Sequence, residues 1–229
     1  MPKTQSTAPS SASDGRANGE ENPRRRERRT RILNAAVRVF AARGFHYSRV
    51  SDVAREAEVA DGTIYLYFKN KDDLLISLFE ERMEGIVDTF KNAVRGLESP
   101  RARLRRFIEL HLEMVADQPE LAEVLTVELR QSAKFMREYK APKFSEYLDI
   151  LREIIRDGQQ RGEFRREVDP ALTRRIIFGA LDEVSLYWVS TRRPRETLQH
   201  AVEELWHLCA GGLLASDLTS PQPPPPSAT

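Results

Sequence analysis

Residues 48–71 read SRVSDVAREAEVADGTIYLYFKNK, the pattern of two short helices joined by a tight turn. Ser48 stands where a hydroxyl caps the first helix by accepting from an otherwise orphaned backbone N–H. Val50, Val53, Ala54 and Ala57 recur at helical spacing and form one apolar face. Glu58 to Asp61 leaves room only for a turn, and Gly62 to Phe68 reads as a second helix of about two turns. Ile64 and Phe68 share its inner face, which throws Thr63, Tyr65 and Tyr67 outward, with Lys69 and Lys71 just beyond. Two helices crossing steeply over such a turn form a helix-turn-helix, whose second helix can enter a DNA major groove.

Working outward, the run GFHYSRVSDVAREAEVADGTIYLYFKNKDDLL, from Gly44 to Leu75, resembles the N-terminal domain of the TetR family of bacterial transcriptional regulators. The resemblance is carried by Gly44-Phe45, Ser48, Val50, Asp52-Val53-Ala54, Val59, Gly62-Thr63, Tyr65, Tyr67-Phe68, Lys71 and Leu74. Two positions depart from the family pattern. Glu58 stands where the family usually has Gly, and must accept a left-handed backbone at some cost. Ala60 stands where Ser or Thr is common and cannot cap the second helix, leaving Asp61 as the substitute. The resemblance implies an all-α fold: a helix-turn-helix domain followed by a helical ligand-binding and dimerisation domain.

Net charge is only +1, but its distribution is uneven. Residues 24–71 carry +7 and residues 72–229 carry −5, which suits a polyanion at one end of the molecule. A solvated charged helix would give the same signal, so charge alone does not decide. Cys209 is the only cysteine, which excludes an intrachain disulfide and fits a reducing cytoplasm. No apolar run approaches the ~20 residues that span a bilayer, so no membrane partner is expected. No Gly-rich phosphate loop, HExxH or nucleophile elbow is present, and no cofactor is expected. His46, His111, His200 and His207 are scattered without the companions a metal site needs. These absences argue against an enzyme.

Residues 1–23 and the Pro-rich residues 217–229 have little to bury and are expected to be disordered. The helix-turn-helix domain is assigned to 24–71 and the helical remainder to 72–216. A helix from Arg24 to Arg43 opens with five arginines placed to reach phosphates or a minor groove, and Gly44 ends it. Asn70 caps a long helix from Lys71 to about Leu97, which the resemblance makes the connector between ligand and DNA heads. Further helices are expected at about 100–117, 119–132, 141–161, 170–190 and 194–216. Those last two carry so much apolar surface, with small residues between, that pairing with a second copy in a four-helix bundle is the leading reading; capping the monomer core is the other.

For double-stranded DNA, Ser48, Ser51, Thr63, Tyr67, Lys69 and Lys71 are the phosphate candidates. Asp61, Gly62 and Tyr65 face base edges, and Arg49 can serve either role. Half-buried packing is the competing role for Tyr65 and Tyr67. A second similarity, over VADGTIYLYFKNKDDLLISLFEERM, VELRQS (Val127–Ser132) and IIFGALDEVSLYWV (Ile176–Val189), is to the TetR-type FadR repressors of fatty-acid degradation. It implies a long-chain acyl-CoA effector that releases the protein from its operator. An acyl chain needs apolar walls, here expected from Phe107, Leu110, Val124, Leu125, Leu151, Phe178, Leu181 and Trp188. Coenzyme phosphates need cations, here Arg103, Arg106, Arg130 and Arg152. For Arg130 an ion pair with Glu128 or a neighbouring helix is an equal alternative. A repressor sensing another hydrophobic molecule, and a helical lipid or acyl-CoA carrier without DNA binding, remain the competing functions.

Overall fold

The computed structural model describes residues 22–191 and 194–215, so the expected tails at 1–21 and 217–229 lie outside the described residues. Among the described residues the chain is helical throughout, with one isolated bridge between Phe164 and Leu214. α1 (Pro23–Arg43), α2 (Val50–Glu56) and α3 (Asp61–Ile64) form the head, and α4 (Lys71–Arg95) leaves it. The body adds α5 (Pro100–Asp117), α6 (Pro119–Thr126), α7 (Ala133–Glu138), α8 (Pro142–Gln160), α9 (Pro170–Thr191) and α10 (Arg195–Leu213).

The helix starts follow local chemistry. Asn22, Asn70, Ser99 and Ser132 each accept a backbone N–H at the start of α1, α4, α5 and α7. Pro occupies the first turn of α1, α5, α6 and α8, where its missing N–H costs nothing. Asn22 and Pro23 therefore belong to α1 and not to a tail.

In the head, Ile32, Leu33, Ala36 and Phe40 of α1 are fully buried with Val53, Ala54, Ile64 and Phe68, and Phe45 stands edge-on to Phe40 at 5.4 Å. The second helix of the motif is shorter than its sequence suggests. α3 is a single turn, and Leu66, Tyr67 and Phe68 continue it as turns bonded to Thr63 and Ile64. Ala60 is its N-cap residue without a side-chain bond, and Asp61 lies inside the first turn, so Asp61 does not substitute as a cap. Glu58 has φ of 54°, the left-handed conformation its place in the turn demands.

α5 is the spine of the body, packed against α4, α8, α9 and α10. Phe90, Phe107 and Tyr147 meet within about 5 Å of one another at its centre. Head and body share one continuous core, because α1 packs along α6.

The single helix expected at 119–132 is broken. α6 stops at Thr126, a 3-10 turn covers Glu128–Gln131, and Ser132 then caps α7 with a bond from Phe135 N–H at 3.1 Å. The break lets Glu128 and Arg130 point to different neighbours, with consequences described below. Replacing Glu58 by Gly removes the side chain from a left-handed position and should raise unfolding free energy by about 1 kcal/mol in urea denaturation.

Candidate nucleic-acid interface and ligand cavity

α2 owes its start to Asp52, whose carboxylate accepts the Arg49 backbone N–H at 2.9 Å. That bond, with the nearby Arg43 and Arg55 guanidiniums, holds its carboxyl below the ordinary value. Arg49, Ser51, Asp61, Gly62, Tyr65 and Lys69 are exposed, and nothing lies within 4 Å of where a Cβ on Gly62 would be. Thr63 and Tyr67 are half-buried; Tyr67 also carries the Arg25 guanidinium over its ring at 5.7 Å, which joins the basic start of α1 to the same surface. Two residues not singled out from sequence belong beside them: Tyr47, 83% exposed in the loop before α2, and Leu66, 73% exposed. Leu66 was legible, since it lies between the inward Ile64 and Phe68.

Ser48 and Lys71 are placed differently from expectation. Ser48 is buried, does not cap α2, and donates its hydroxyl to the Gly44 carbonyl at 2.7 Å, so it is not presented to a phosphate. The Lys71 ammonium donates to the carbonyls of Phe45, His46 and Ser48 at 2.7, 3.1 and 3.0 Å and lies 4.5 Å from the Phe45 ring centre. All three of its donors are engaged, so it closes the α1–α2 loop onto the start of α4. From the other side the Phe45 N–H donates to the carboxylate of Glu128, a buried acid of the 3-10 turn that also accepts from Gln131 at 3.0 Å.

A small apolar cavity of about 70 Å³ lies between α4, α5, α6, α8 and α9. Phe79, Met83, Met114, Leu125, Phe144 and Phe178 contribute to its wall. Its polar residues are internally engaged. Thr126 donates to the Ala122 carbonyl, and Asp182 pairs with Arg130. Ser185 donates to the Leu181 carbonyl, so it accepts from His111 Nε2, which leaves His111 Nδ1 to accept the Tyr147 hydroxyl proton at 2.7 Å. Burial keeps His111 neutral, with its pKa pushed down to about 4.

Of the expected walls, Leu125 and Phe178 line this cavity. Leu110 lines an adjoining open groove of about 370 Å³, which shares Ile86 and Met114 with it. Phe107, Val124, Leu151 and Leu181 are buried in the core without lining either, and the Trp188 indole donates to the Pro194 carbonyl at 3.1 Å. Periodicity marks a residue as inward but not whether it meets a void or a neighbour. The arginines are committed to ion pairs: Arg103 with Asp157, Arg106 with Glu109 and Glu113, Arg152 with Asp149, and Arg130 with Asp182 of α9 rather than with Glu128. Most of the lining was missed from sequence, including Phe79, Met83, His111, Met114, Phe144 and Tyr147.

A helix-turn-helix head on a helical body is the architecture of a DNA-binding regulator, and the comparisons agree. Residues 32–78 match the model of bacterial regulatory proteins of the tetR family, and residues 79–212 match the C-terminal region of YsiA-like protein. The chain belongs to the TetR family of transcriptional regulators, which are not enzymes. It is 41% identical over 165 residues to the fatty acid metabolism regulator protein of Bacillus subtilis, covering 72% of this chain and 85% of that one. Among solved structures, the fatty acid degradation regulator FadR of Bacillus halodurans superposes with a TM-score of 0.77 at 37% identity, over 85% of this chain and 98% of that one. FadR of Bacillus subtilis, in complex with stearoyl-CoA, gives 0.75 at 38%, over 80% and 98%.

Lys71→Ala strands three carbonyls and should cost about 2 kcal/mol of stability. Lys69→Ala should leave stability unchanged and flatten the salt dependence of DNA binding by about one unit of slope. Denaturation and salt-titrated gel shifts separate the two. His111 makes a second prediction. Its pKa is about 4 folded against 6.5 ordinarily, so unfolded chain takes up the proton first as pH falls. Its contribution is complete above pH 6.5 and lost between 6.5 and about 4, a fall of about 3 kcal/mol that His111→Gln should remove from the pH profile of urea unfolding.

Proposed function

We propose that the protein is a homodimeric repressor of fatty-acid degradation genes that leaves its operator when long-chain acyl-CoA binds. The observation that carries this reading is the cavity whose polar groups are all satisfied from within. It offers hydrocarbon contacts and no spare donor, the chemistry an acyl chain requires. The similarity to a FadR solved with stearoyl-CoA supports the same ligand class.

At about 70 Å³ the cavity is far below the ~300–1,000 Å³ of ligand pockets, so a long chain enters only by moving walls. Met83 and Met114 are adaptable enough to give way. The groove next to α4 supplies the approach, through Ile86 and Met114. Its rim holds Arg82, bonded to the neutral amide of Asn34, and this guanidinium is a better phosphate partner than the committed Arg106.

The apolar residues of the last two helices divide between two faces. Leu181, Leu198, Leu205 and Leu213 are buried inward; Leu172, Ile176, Tyr187 and Leu208 remain exposed. The exposed set supports pairing of α9 and α10 with a second copy, which sets two heads about one helical turn of DNA apart. On this reading Arg49, Ser51, Thr63, Tyr67 and Lys69 meet phosphates, while Asp61, Gly62 and Tyr65 face bases.

A duplex selected by the protein from a random-sequence library provides the DNA. Saturating stearoyl-CoA should raise its dissociation constant at least tenfold, a coupling of about 1.4 kcal/mol. An unchanged gel shift would remove acyl-CoA as effector and leave DNA binding standing. Ile176→Glu should convert a dimer to a monomer in sedimentation analysis.

A further inference from the structure

The 3-10 turn Glu128–Gln131 directly follows α6, three of whose residues, Ala122, Leu125 and Thr126, line the apolar cavity. Two of its side chains leave in different directions. Glu128 reaches the head and accepts the Phe45 N–H, 83 residues away in sequence, and its carboxylate lies 3.6 Å from where a Cβ on Gly44 would stand. Arg130 reaches α9 and pairs at 2.5 Å with Asp182, itself part of the cavity wall. Leu129 between them is buried in the core, so the turn is not free to absorb strain at its centre. The loop that Glu128 grips is fastened by Lys71 to the first residue of α4, and it leads straight into α2.

We propose that Glu128 is the positioning residue through which the cavity acts on the DNA head, with Arg130–Asp182 tying the same turn to the cavity wall. The physical argument is one of shared backbone. A ligand that parts α6 from α9 must either shift the 3-10 turn or break Arg130 from Asp182. A buried carboxylate cannot surrender a backbone donor without heavy cost, so Glu128 carries the Phe45 N–H with it. The α1–α2 loop then moves, and α2 and α3 turn relative to α1. The ligand's preference for the parted arrangement supplies the free energy. This inference rests on the reading of the protein as a ligand-responsive repressor, but one arm of its test does not.

That arm is amide hydrogen exchange at Phe45 in the full-length protein. Arg130→Ala should speed exchange at Phe45 about tenfold while amides in the middle of α1 stay unchanged. Unchanged exchange at Phe45 would overturn the linkage. The second arm compares affinity for the selected duplex with and without saturating stearoyl-CoA. Glu128→Ala should bind stearoyl-CoA like the wild type yet lose the response, its two DNA affinities agreeing within about twofold. Glu128→Gln, which keeps an oxygen acceptor, should recover much of the response, a rescue that general loosening would not produce. A Glu128→Ala protein that responds fully would overturn the proposal; if that variant does not fold, Arg130→Ala and Glu128→Gln carry the comparison. A wild-type protein indifferent to stearoyl-CoA would count against the acyl-CoA reading, and the exchange result would then decide the linkage alone.

Discussion

One residue, Phe45, is held by its backbone from both sides, and the architecture turns on it. The N–H of Phe45 goes to the carboxylate of Glu128 and its carbonyl to the ammonium of Lys71. The acid belongs to the body and the base to the start of the connecting helix, so three parts of the molecule meet at one residue of the α1–α2 loop. Both charged groups are satisfied in this arrangement: the buried acid holds the Phe45 N–H and the ammonium spends all three donors on carbonyls. A head merely packed on α4 could rotate at small cost. A head whose loop is bonded to opposite charges from two elements has a defined orientation on the body.

The body meets a different constraint. Its cavity is walled by methionines and phenylalanines, side chains that repack with modest loss, around a polar chain of Tyr147, His111 and Ser185 that has no freedom of direction. The polar chain pins α5 to α8 and α9, since the two bonds of His111 cross between helices and an unmet partner at full burial is costly. The walls can therefore part on the side of Met83 and α6 more readily than where α5 meets α8 and α9. This asymmetry directs any displacement toward α6 and the turn that follows it.

Much of this was legible in the residues. The order Ser48-Arg49-Val50 through Phe68 specified the helix-turn-helix, and Ile64 and Phe68 specified which side of it faces inward. The start of the long helix at Asn70 and the Pro-led helices of the body were equally local. The left-handed backbone at Glu58 followed from its place in the turn. Other residues were legible by type but not by role. Lys71 looked like a phosphate ligand because lysines beyond recognition helices usually are, and Ser48 looked like a cap because serines before helices usually are. Both act inward here because carbonyls of the Gly44–Ser48 loop, outside any helix, accept their hydroxyl and ammonium protons.

By itself the sequence determined helical class, the inner face of each helix, the cap at Asn70 and the place of the helix-turn-helix, all properties of spacing within a few residues. Tertiary structure alone decided which inward residues meet a void, where the helix after Pro119 breaks, and which carboxylate holds which base. Glu128 with Phe45, Arg130 with Asp182, and His111 with Tyr147 and Ser185 are separated by 36 to 83 residues. No helical period extends across such gaps; only the packing of whole helices brings those groups within bonding distance, and burial then makes the pairings obligatory.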